Sequence, residues 1–153
     1  WEEFSGWAEK GKACHEELLR LVDADTDAFN EIMAAFGLPN KTDEEKAERA
    51  AAIEAATVGA IEVPFRTMEV SMESMDVIAA MADIGLPASA SDAGVAALCA
   101  RTAVLGAYLN VLINAKELTD AEKARSFVER GADLRDRAMA REVEILETLS
   151  GKL

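Results

Sequence analysis

LVDADTDAF, residues 21–29, places three aspartates at alternate positions inside an otherwise apolar, helix-forming region. At about 100° per residue in a helix, the three carboxylates cannot all face the same way. Apolar residues around them recur at steps of three and four and predict a buried seam: Phe4, Trp7, Gly11, Cys14, Leu18, Val22, Phe29, Ile32 and Phe36. The member missing from this seam is Asp25. We therefore expect Asp25 to face the core, and Asp23 and Asp27 to face away from it.

An acid directed into a core has two interpretations. In the structural one, Asp25 pairs with an arginine or lies at a helix interruption. In the functional one, it is a general acid or base whose pKa is raised by apolar surroundings, because desolvation disfavours the charged form. The pattern alone leaves both open.

The composition favours close-packed helices. The chain has 153 residues, of which 50% are hydrophobic and only 5% aromatic, with alanine dominant. We expect one domain, residues 1–153, folded as an all-α antiparallel bundle of long helices. The net charge of −13 argues against nucleic-acid and anionic-membrane partners. An anionic substrate would have to meet locally placed Arg or Lys side chains.

The cysteine content and the lengths of the apolar segments indicate the cellular location of the protein. Cys14 and Cys99 are too few and too far apart for a disulfide framework, and no segment resembles a signal peptide. No apolar run reaches about 18 residues, so no transmembrane helix is expected. These features predict a cytoplasmic protein with reduced thiols.

Start and stop signals divide the chain into helices. The first helix is predicted to end at Phe36, and residues 42–45 (TDEE) form a capping box for the second. The apolar seam of that helix continues in phase past Pro64, which indicates two helices end to end or one helix kinked there. Ser91-Asp92 is predicted to open the next helix, with Ser91 as its N-cap, and Thr119-Asp120 to cap the last.

Two seams follow from the same spacing. The last helix is predicted to bury Ala124, Phe127 or Val128, Gly131, Leu134, Ala138, Ile145 and Leu149. The helix after Ser91 is predicted to bury Val95, Leu98, Thr102, Leu105, Leu109 and Leu112. The methionines before it are more typical of an adaptable core than of a cofactor site: Met68, Met72, Met75 and Met81.

Asn110 and Asn114 lie four residues apart and share one face of an otherwise apolar helix end. A buried Asn must find hydrogen-bond partners, so hydrogen bonding between helices and ligand binding are both open interpretations. Lys116 lies just beyond, at the predicted helix C-terminus. It is either a charge that stabilises that terminus or an anchor for a substrate carboxylate.

Metal and nucleophile chemistry find little support. Di-iron bundles need paired Glu-x-x-His motifs, and the chain has one histidine, His15. No Cys–His spacing indicates zinc, and no glycine-rich loop suits a phosphate. We expect no metal site and no nucleophile–histidine pair.

Several motifs together resemble the formiminotransferase-cyclodeaminase C-terminal domain, a family shared with bacterial methenyltetrahydrofolate cyclohydrolases. They occur in the family's order and cover nearly the whole chain: Leu21-Val22-Asp23-Ala24-Asp25 with Ala28-Phe29, Leu38-Pro39 with Thr42 and Glu44-Glu45-Lys46, Val63-Pro64, Ser91-Asp92, Gly106 to Val111, and Ile113-Asn114.

The resemblance implies a homodimer with a tetrahydrofolate pocket near the subunit interface and no other cofactor. It implies that Asp25 is catalytic, and that Ser91, Asp92, Asn110 and Asn114 line or support the pocket. The implied reaction converts 5-formiminotetrahydrofolate to 5,10-methenyltetrahydrofolate and ammonia, with cyclohydrolase activity as the alternative. Association with a formiminotransferase is a further option. Four basic residues are candidate anchors for the folate glutamate: Arg49, Arg66, Arg101 and Lys116.

Two departures from the family pattern favour another alternative, a non-catalytic helical scaffold. The family's first helix follows a Pro-Gly-Gly-Gly-Ser segment, whereas this chain starts at Trp1, already in helical phase and without a cap. We therefore expect that helix to be missing, as after cleavage. Gly85-Leu86 also stands where the family often has Gly-Asn. Retention of Asp25 with both asparagines favours the enzyme.

Overall fold

The computed structural model describes residues 2–152 and contains four long helices. They are α1 (Glu2–Phe36), α2 (Asp43–Ile84), α3 (Ala90–Ala115) and α4 (Ala121–Leu149). A 3₁₀ turn, Pro87–Ser89, leads into α3. Within residues 2–152 there is no strand, and the predicted all-α fold is confirmed. Trp1, the predicted start of the first helix, lies outside the described residues.

The helices run up and down around α2. Lys10 Nζ lies 2.9 Å from Asp76 Oδ2, and Arg66 Nε lies 3.6 Å from Glu17 Oε1, so α1 is antiparallel to α2. Contacts of α3 with α2 and with α4 are likewise antiparallel. Short connections between successive helices produce this arrangement. It leaves α1 and α3 on either side of a groove whose floor is α2.

Most predicted helix caps are confirmed. Thr42 and Glu45 form the capping box of α2, and the Asp120 side chain accepts from two backbone N–H groups at the start of α4. The prediction that Ser91 caps α3 is wrong. The turn that begins at Pro87 carries the chain into the helix early, so α3 starts at Ala90 and Ser91 lies in its first turn.

Helix α2 is continuous through Pro64. Of the two forms that the sequence left open, the structure therefore has one helix and not two. Proline lacks an N–H, so the carbonyl of Ala60, four residues earlier, has no helical donor. The Asn114 side chain of α3 supplies one: its Nδ2 lies 2.8 Å from that oxygen.

The core between α2, α3 and α4 includes the predicted seams of α2 and α4. Met68 and Met75 are fully buried, as are Ile145 and Leu149 of α4. Phe65 of α2 packs edge to face against Phe127 of α4, with ring centroids 5.7 Å apart. The interpretation as core residues is confirmed for Met68, Met72 and Met75, whereas Met81 is half-buried and lines a cavity near Phe4 and Leu86.

The predicted seams of α1 and α3 are wrong for most of their large residues, although Cys14 is buried and Leu18, Leu105 and Leu112 pack against the core. In α1 the buried residues recur every seven positions and are Cys14, Leu21, Ala28 and Ala35. Large members of the predicted seams are exposed instead: Phe4, Val22, Phe29, Phe36, Val95, Leu98 and Leu109. Small side chains let helices approach closely, so alanines occupy the contact and the larger apolar residues lie outside it.

Within residues 2–152, one segment could cross a membrane by length and composition: residues 87–115, which contain an 18-residue stretch with a mean hydropathy of 1.6. This differs from the prediction that no such segment is present. Core helices of soluble proteins pass the same test, so one segment of this kind is weak evidence. Here the segment includes α3, which packs against α2 and α4.

Gly131→Ala is expected to destabilise the fold by about 1–3 kcal/mol, although Ala is the better helix former by about 1 kcal/mol. A Cβ at Gly131 would lie 2.8 Å from two ring carbons of Tyr108. That ring is buried, its hydroxyl donates to the Val128 carbonyl, and the Arg135 guanidinium lies over it. Urea unfolding measures the effect. Gly6→Ala is the control, because no atom lies within 4 Å of its Cβ position; equal stability of both variants would contradict the prediction.

Glu54 of α2 forms hydrogen bonds with the turn that precedes α4. Its carboxylate accepts from the backbone N–H groups of Thr119 and Asp120 at 3.0–3.1 Å, and these bonds lower its pKa. A lowered folded-state pKa stabilises the fold above the unfolded pKa, and this contribution is lost as the pH falls through the folded-state value. Glu54→Gln is therefore expected to lower the melting temperature at neutral pH and to match wild type in acid. Glu48→Gln, at an exposed position of α2, is the control; a pH-independent deficit would contradict the expectation.

Candidate active site

The groove between α1 and α3 holds a cavity of about 450 Å³, within the range of small-molecule sites. Its walls are mostly apolar, and its polar groups are one carboxylate, one carboxamide and two hydroxyls. Ten residues line it: Leu18, Leu21, Val22, Asp25 and Thr26 from α1, Pro64 and Thr67 from α2, and Ala103, Ala107 and Asn110 from α3.

Asp25 lies at the rim of this groove and is exposed. The prediction that it faces the core is wrong, since Ala24 and Ala28 turn toward α2 at this level while Asp25 lies between them and the exposed apolar edge of α1. Within residues 2–152 the Asp25 carboxylate makes no hydrogen bond or ion pair, which excludes the alternative of an arginine-neutralised acid there. Asp23 and Asp27 are exposed, as expected.

Asn110 lines the groove from α3, across from Asp25. Its only hydrogen bond within residues 2–152 is a long one, 3.4 Å from Nδ2 to the Gly106 carbonyl, so the amide is open to another partner. Thr67 Oγ1 donates to the Val63 carbonyl at 3.1 Å, and Thr26 Oγ1 to the Val22 carbonyl at 3.4 Å. Both hydroxyls therefore offer acceptor lone pairs.

Asn114 and Lys116 differ in what they contact. Asn114 is half-buried and bonds to the Ala60 carbonyl, so hydrogen bonding between helices, one of its two interpretations, is what the structure shows. Lys116 follows the last residue of α3 and is exposed. Its amine has no partner within residues 2–152.

Ser91 and Asp92 lie at the other end of α3. Eighteen residues of helix separate Asp92 from Asn110, or about 27 Å at 1.5 Å per residue. Asp92 instead borders a separate, mostly apolar cavity of about 410 Å³ near Phe4 and Leu86. One chain thus brings Asp25 and Asn110 into one groove but leaves Ser91 and Asp92 far from it.

The other candidate anchors already have intrachain partners. Arg49 donates to the Phe36 carbonyl at the end of α1. Arg66 pairs with three glutamates, Glu17, Glu69 and Glu73, and Arg101 lies 2.9 Å from Glu142. Lys116 is therefore the basic residue among the four predicted anchors that is open to an anionic ligand.

Metal-binding geometry is absent from residues 2–152. No group of three or more His, Cys, Asp or Glu side chains there is placed to hold a metal ion. His15 is exposed on α1.

Large apolar side chains form an exposed surface on both sides of the groove, which we call the outer face. It comprises Val22, Phe29, Met33 and Phe36 of α1 and Val95, Leu98, Leu109 and Ile113 of α3. Val22 is 65% exposed and Leu109 is 66% exposed. Between Asp92 and Lys116 the only charged residue of α3 is Arg101, which is half-buried and paired. Apolar surfaces of this kind mark interaction sites.

Of the ten residues that line the groove, the sequence predicted only Asp25 and Asn110 as site residues. Those that it did not predict include Thr26, Pro64 and Thr67. A proline inside a long apolar helix pattern does signal an unpaired carbonyl four residues earlier. That signal indicated a turn of α2 with a missing backbone hydrogen bond, but not that the turn lines a groove. Thr26 and Thr67 carry no comparable signal.

Comparisons with known proteins show which family the chain belongs to. Residues 1–132 match the family model described as formiminotransferase-cyclodeaminase. The chain is 38% identical over 145 residues to the methenyltetrahydrofolate cyclohydrolase of Methylorubrum extorquens, covering 95% of this chain and 70% of that protein. It is 35% identical over 140 residues to the formimidoyltransferase-cyclodeaminase of Sus scrofa, covering 92% of this chain and 26% of that protein.

Proposed function

Because the chain belongs to the formiminotransferase-cyclodeaminase family, we propose that it opens or closes the one-carbon bridge between N5 and N10 of tetrahydrofolate, with Asp25 as the acid–base group. The observation that carries this proposal is the groove in which Asp25 and Asn110 lie together. It combines one titratable group with amide and hydroxyl groups on apolar walls. The proposed chemistry needs proton transfer and no cofactor beyond the folate substrate.

Cyclohydrolase activity is the first reaction to test, since the chain spans 70% of the cyclohydrolase relative. Water adds to the bridge carbon of 5,10-methenyltetrahydrofolate, and Asp25 accepts a proton from that water. The bond between N5 and the resulting tetrahedral carbon then breaks as Asp25 protonates N5. The carbon remains on N10 as a formyl group, and one proton is released.

Cyclodeaminase activity is the second candidate, favoured by the names of the family and of the pig relative. N10 attacks the carbon of the protonated formimino group, and Asp25 takes the proton from N10. The carboxylic acid then protonates the amine on the tetrahedral carbon, which leaves as ammonia. Both reactions need one group that accepts a proton and returns it to a leaving nitrogen.

Substrate contacts follow from the free groups of the groove. The Asn110 amide can donate to and accept from the edge of the pteridine ring, and the Thr67 hydroxyl can accept from a ring N–H. Lys116, six residues beyond Asn110 and just past the end of α3, is the proposed anchor for a glutamate carboxylate. The net charge of −13 makes such a local cation necessary.

The proposed site needs a second copy of the chain. Within one chain, Asp92 and Asn110 are about 27 Å apart, or about five helical turns. If a second copy packs antiparallel on the outer face, its own Ser91 and Asp92 lie near Asn110 of the first chain. The same copy would cover Asp25 and remove water from it, a condition that favours the protonated form of a carboxyl group. We therefore propose a homodimer in which each active groove uses residues of both subunits.

A non-catalytic scaffold remains the alternative function. It is favoured by Leu86, which is 75% exposed in the turn before α3, where the resemblance anticipates an asparagine. A cytoplasmic location and association with a formiminotransferase complete the proposal. The latter is suggested by the name of the pig relative, which joins both activities.

Absorbance of 5,10-methenyltetrahydrofolate tests the function directly. Cyclohydrolase activity appears as loss of this absorbance faster than uncatalysed hydrolysis, and cyclodeaminase activity as its gain from the formimino substrate. Assays of both reactions on the same preparation distinguish the two candidates. Failure of both, with folded protein, would overturn the enzyme proposal and support the scaffold.

A further inference from the structure

Pro64 and Thr67 of α2 form the floor of the groove, and Pro64 lies at the end of the helical turn that begins at Ala60. Proline has no N–H to donate to the carbonyl four residues earlier, so the backbone of this turn cannot hold Ala60 O. Ala60 is buried, and water cannot readily replace the missing donor. An unpaired carbonyl inside a helix would loosen the turn that carries Pro64 and Thr67.

Asn114 supplies the missing donor from the neighbouring helix. Its Nδ2 lies 2.8 Å from Ala60 O, whereas Asn110 Nδ2 lies 3.4 Å from a carbonyl of its own helix. The acceptor is a carbonyl oxygen, so the amide must present its NH₂ group, and the orientation of Asn114 is determined. The two asparagines of one helix face therefore differ in role: one is open to the groove and the other is bonded to the groove's floor.

We propose that Asn114 is a positioning residue, whose amide replaces the N–H that Pro64 lacks and so holds the floor of the groove beneath the folate. This inference rests on the proposed function. Asn114 acts through Ala60 and does not contact the substrate. The sequence resemblance had placed Asn114 at the pocket without distinguishing these two roles.

The test combines three variants: Asn114→Leu, Pro64→Ala, and both together. Alanine at position 64 restores a backbone N–H to Ala60 O, so Asn114 becomes redundant in that background. In the wild-type background, Asn114→Leu is expected to accelerate amide hydrogen exchange in residues 61–67 at least 10-fold. It is also expected to raise KM about 10-fold with a smaller change in kcat. In the Pro64→Ala background, Asn114→Leu is expected to change the exchange rate in residues 61–67 and KM by no more than twofold.

Asn110→Leu is the matched control, because it removes an amide from the same helix face without touching α2. It is expected to leave exchange in residues 61–67 unchanged while weakening binding of 5-formyltetrahydrofolate, a stable folate, in calorimetry. An equal rise in KM on Asn114→Leu in both backgrounds would overturn the proposal, because it would mean direct substrate contact. Faster exchange without any change in KM would also overturn it, because the role would then be structural alone.

Amide hydrogen exchange is measured without folate. It therefore tests the bond between Asn114 and Ala60 independently of the proposed function. Unchanged exchange in Asn114→Leu would overturn the claim about Ala60 even in an active enzyme. Accelerated exchange in a protein that neither binds nor converts folate would overturn the proposed function, and the positioning role with it.

Discussion

Asp25→Asn is expected to lower kcat for methenyltetrahydrofolate conversion by about 100-fold or more, since positioned acid–base groups contribute about 10²–10⁴. Asparagine keeps the size and polarity of the side chain but cannot accept and return the proton. The fold of the chain should be unaffected, because the Asp25 carboxylate is exposed in one chain and makes no hydrogen bond or ion pair within residues 2–152. Unfolding curves of wild type and variant should therefore coincide.

Asp23→Asn is the matched control for this experiment. It makes the same charge change two residues away, at an exposed position on a different side of α1, and is expected to keep kcat within twofold of wild type. Absorbance of 5,10-methenyltetrahydrofolate measures the reaction rate of wild type and of both variants. Equal rates for wild type and Asp25→Asn would remove Asp25 from the mechanism.

What the sequence predicted well depends on local rules. The Thr42–Glu45 capping box and the Asp120 cap involve residues at most three positions apart. The seam of α4 was also assigned correctly, as was that of α2 beyond Pro64, whereas the earlier α2 members Ala47, Ala50 and Ala51 are exposed. In α4 one face is apolar and the other strongly charged, so only one face can be buried.

The faces of α1 and α3 could not be chosen from sequence. Helix α3 is apolar nearly all round, so spacing alone allowed the face of Leu98 and Leu109 or the face of Ala97 and Val104. Hydrophobicity favoured the leucines, but close helix packing selected the alanine-rich face. The same competition misplaced Asp25, because the neighbouring members of its predicted seam, Val22, Phe29 and Phe36, lie on the outer face and not in the core.

The site was predictable only in part, because registers between helices are not local. That Asp25 and Asn110 share a groove depends on how α1 and α3 are set against α2. That Asn114 meets the carbonyl freed by Pro64 depends on the register of α3 over 54 residues of chain separation. The roles of Asp25, Ser91, Asp92, Asn110 and Lys116 in binding and catalysis stay predictions.

Leu109→Glu is expected to split the proposed homodimer and abolish turnover at concentrations where wild type is dimeric. In an isolated chain the change should cost at most about 0.5 kcal/mol, because Leu109 is 66% exposed. At a twofold interface each dimer would bury two unpaired carboxylates, and we expect the dissociation constant to rise at least about 100-fold. Sedimentation velocity measures assembly, with Val143→Glu, at an exposed position of α4, as the control.

A cysteine crosslink tests the geometry of the same interface. If Asp92 of one chain lies opposite Asn110 of the other, the twofold axis crosses α3 midway between them, two residues from Cys99, which is exposed on α3. The two Cys99 residues are then offset by about 6 Å along the helices, which is too far for a direct disulfide once the separation of the helices is added. A short bismaleimide reagent should therefore link two wild-type chains through Cys99. Cys99→Ser should abolish the link, whereas Cys14→Ser should not, since Cys14 is buried against α2. A dimeric, fully active Leu109→Glu variant would contradict the shared site, and a wild-type dimer that does not crosslink would contradict the antiparallel α3 pairing.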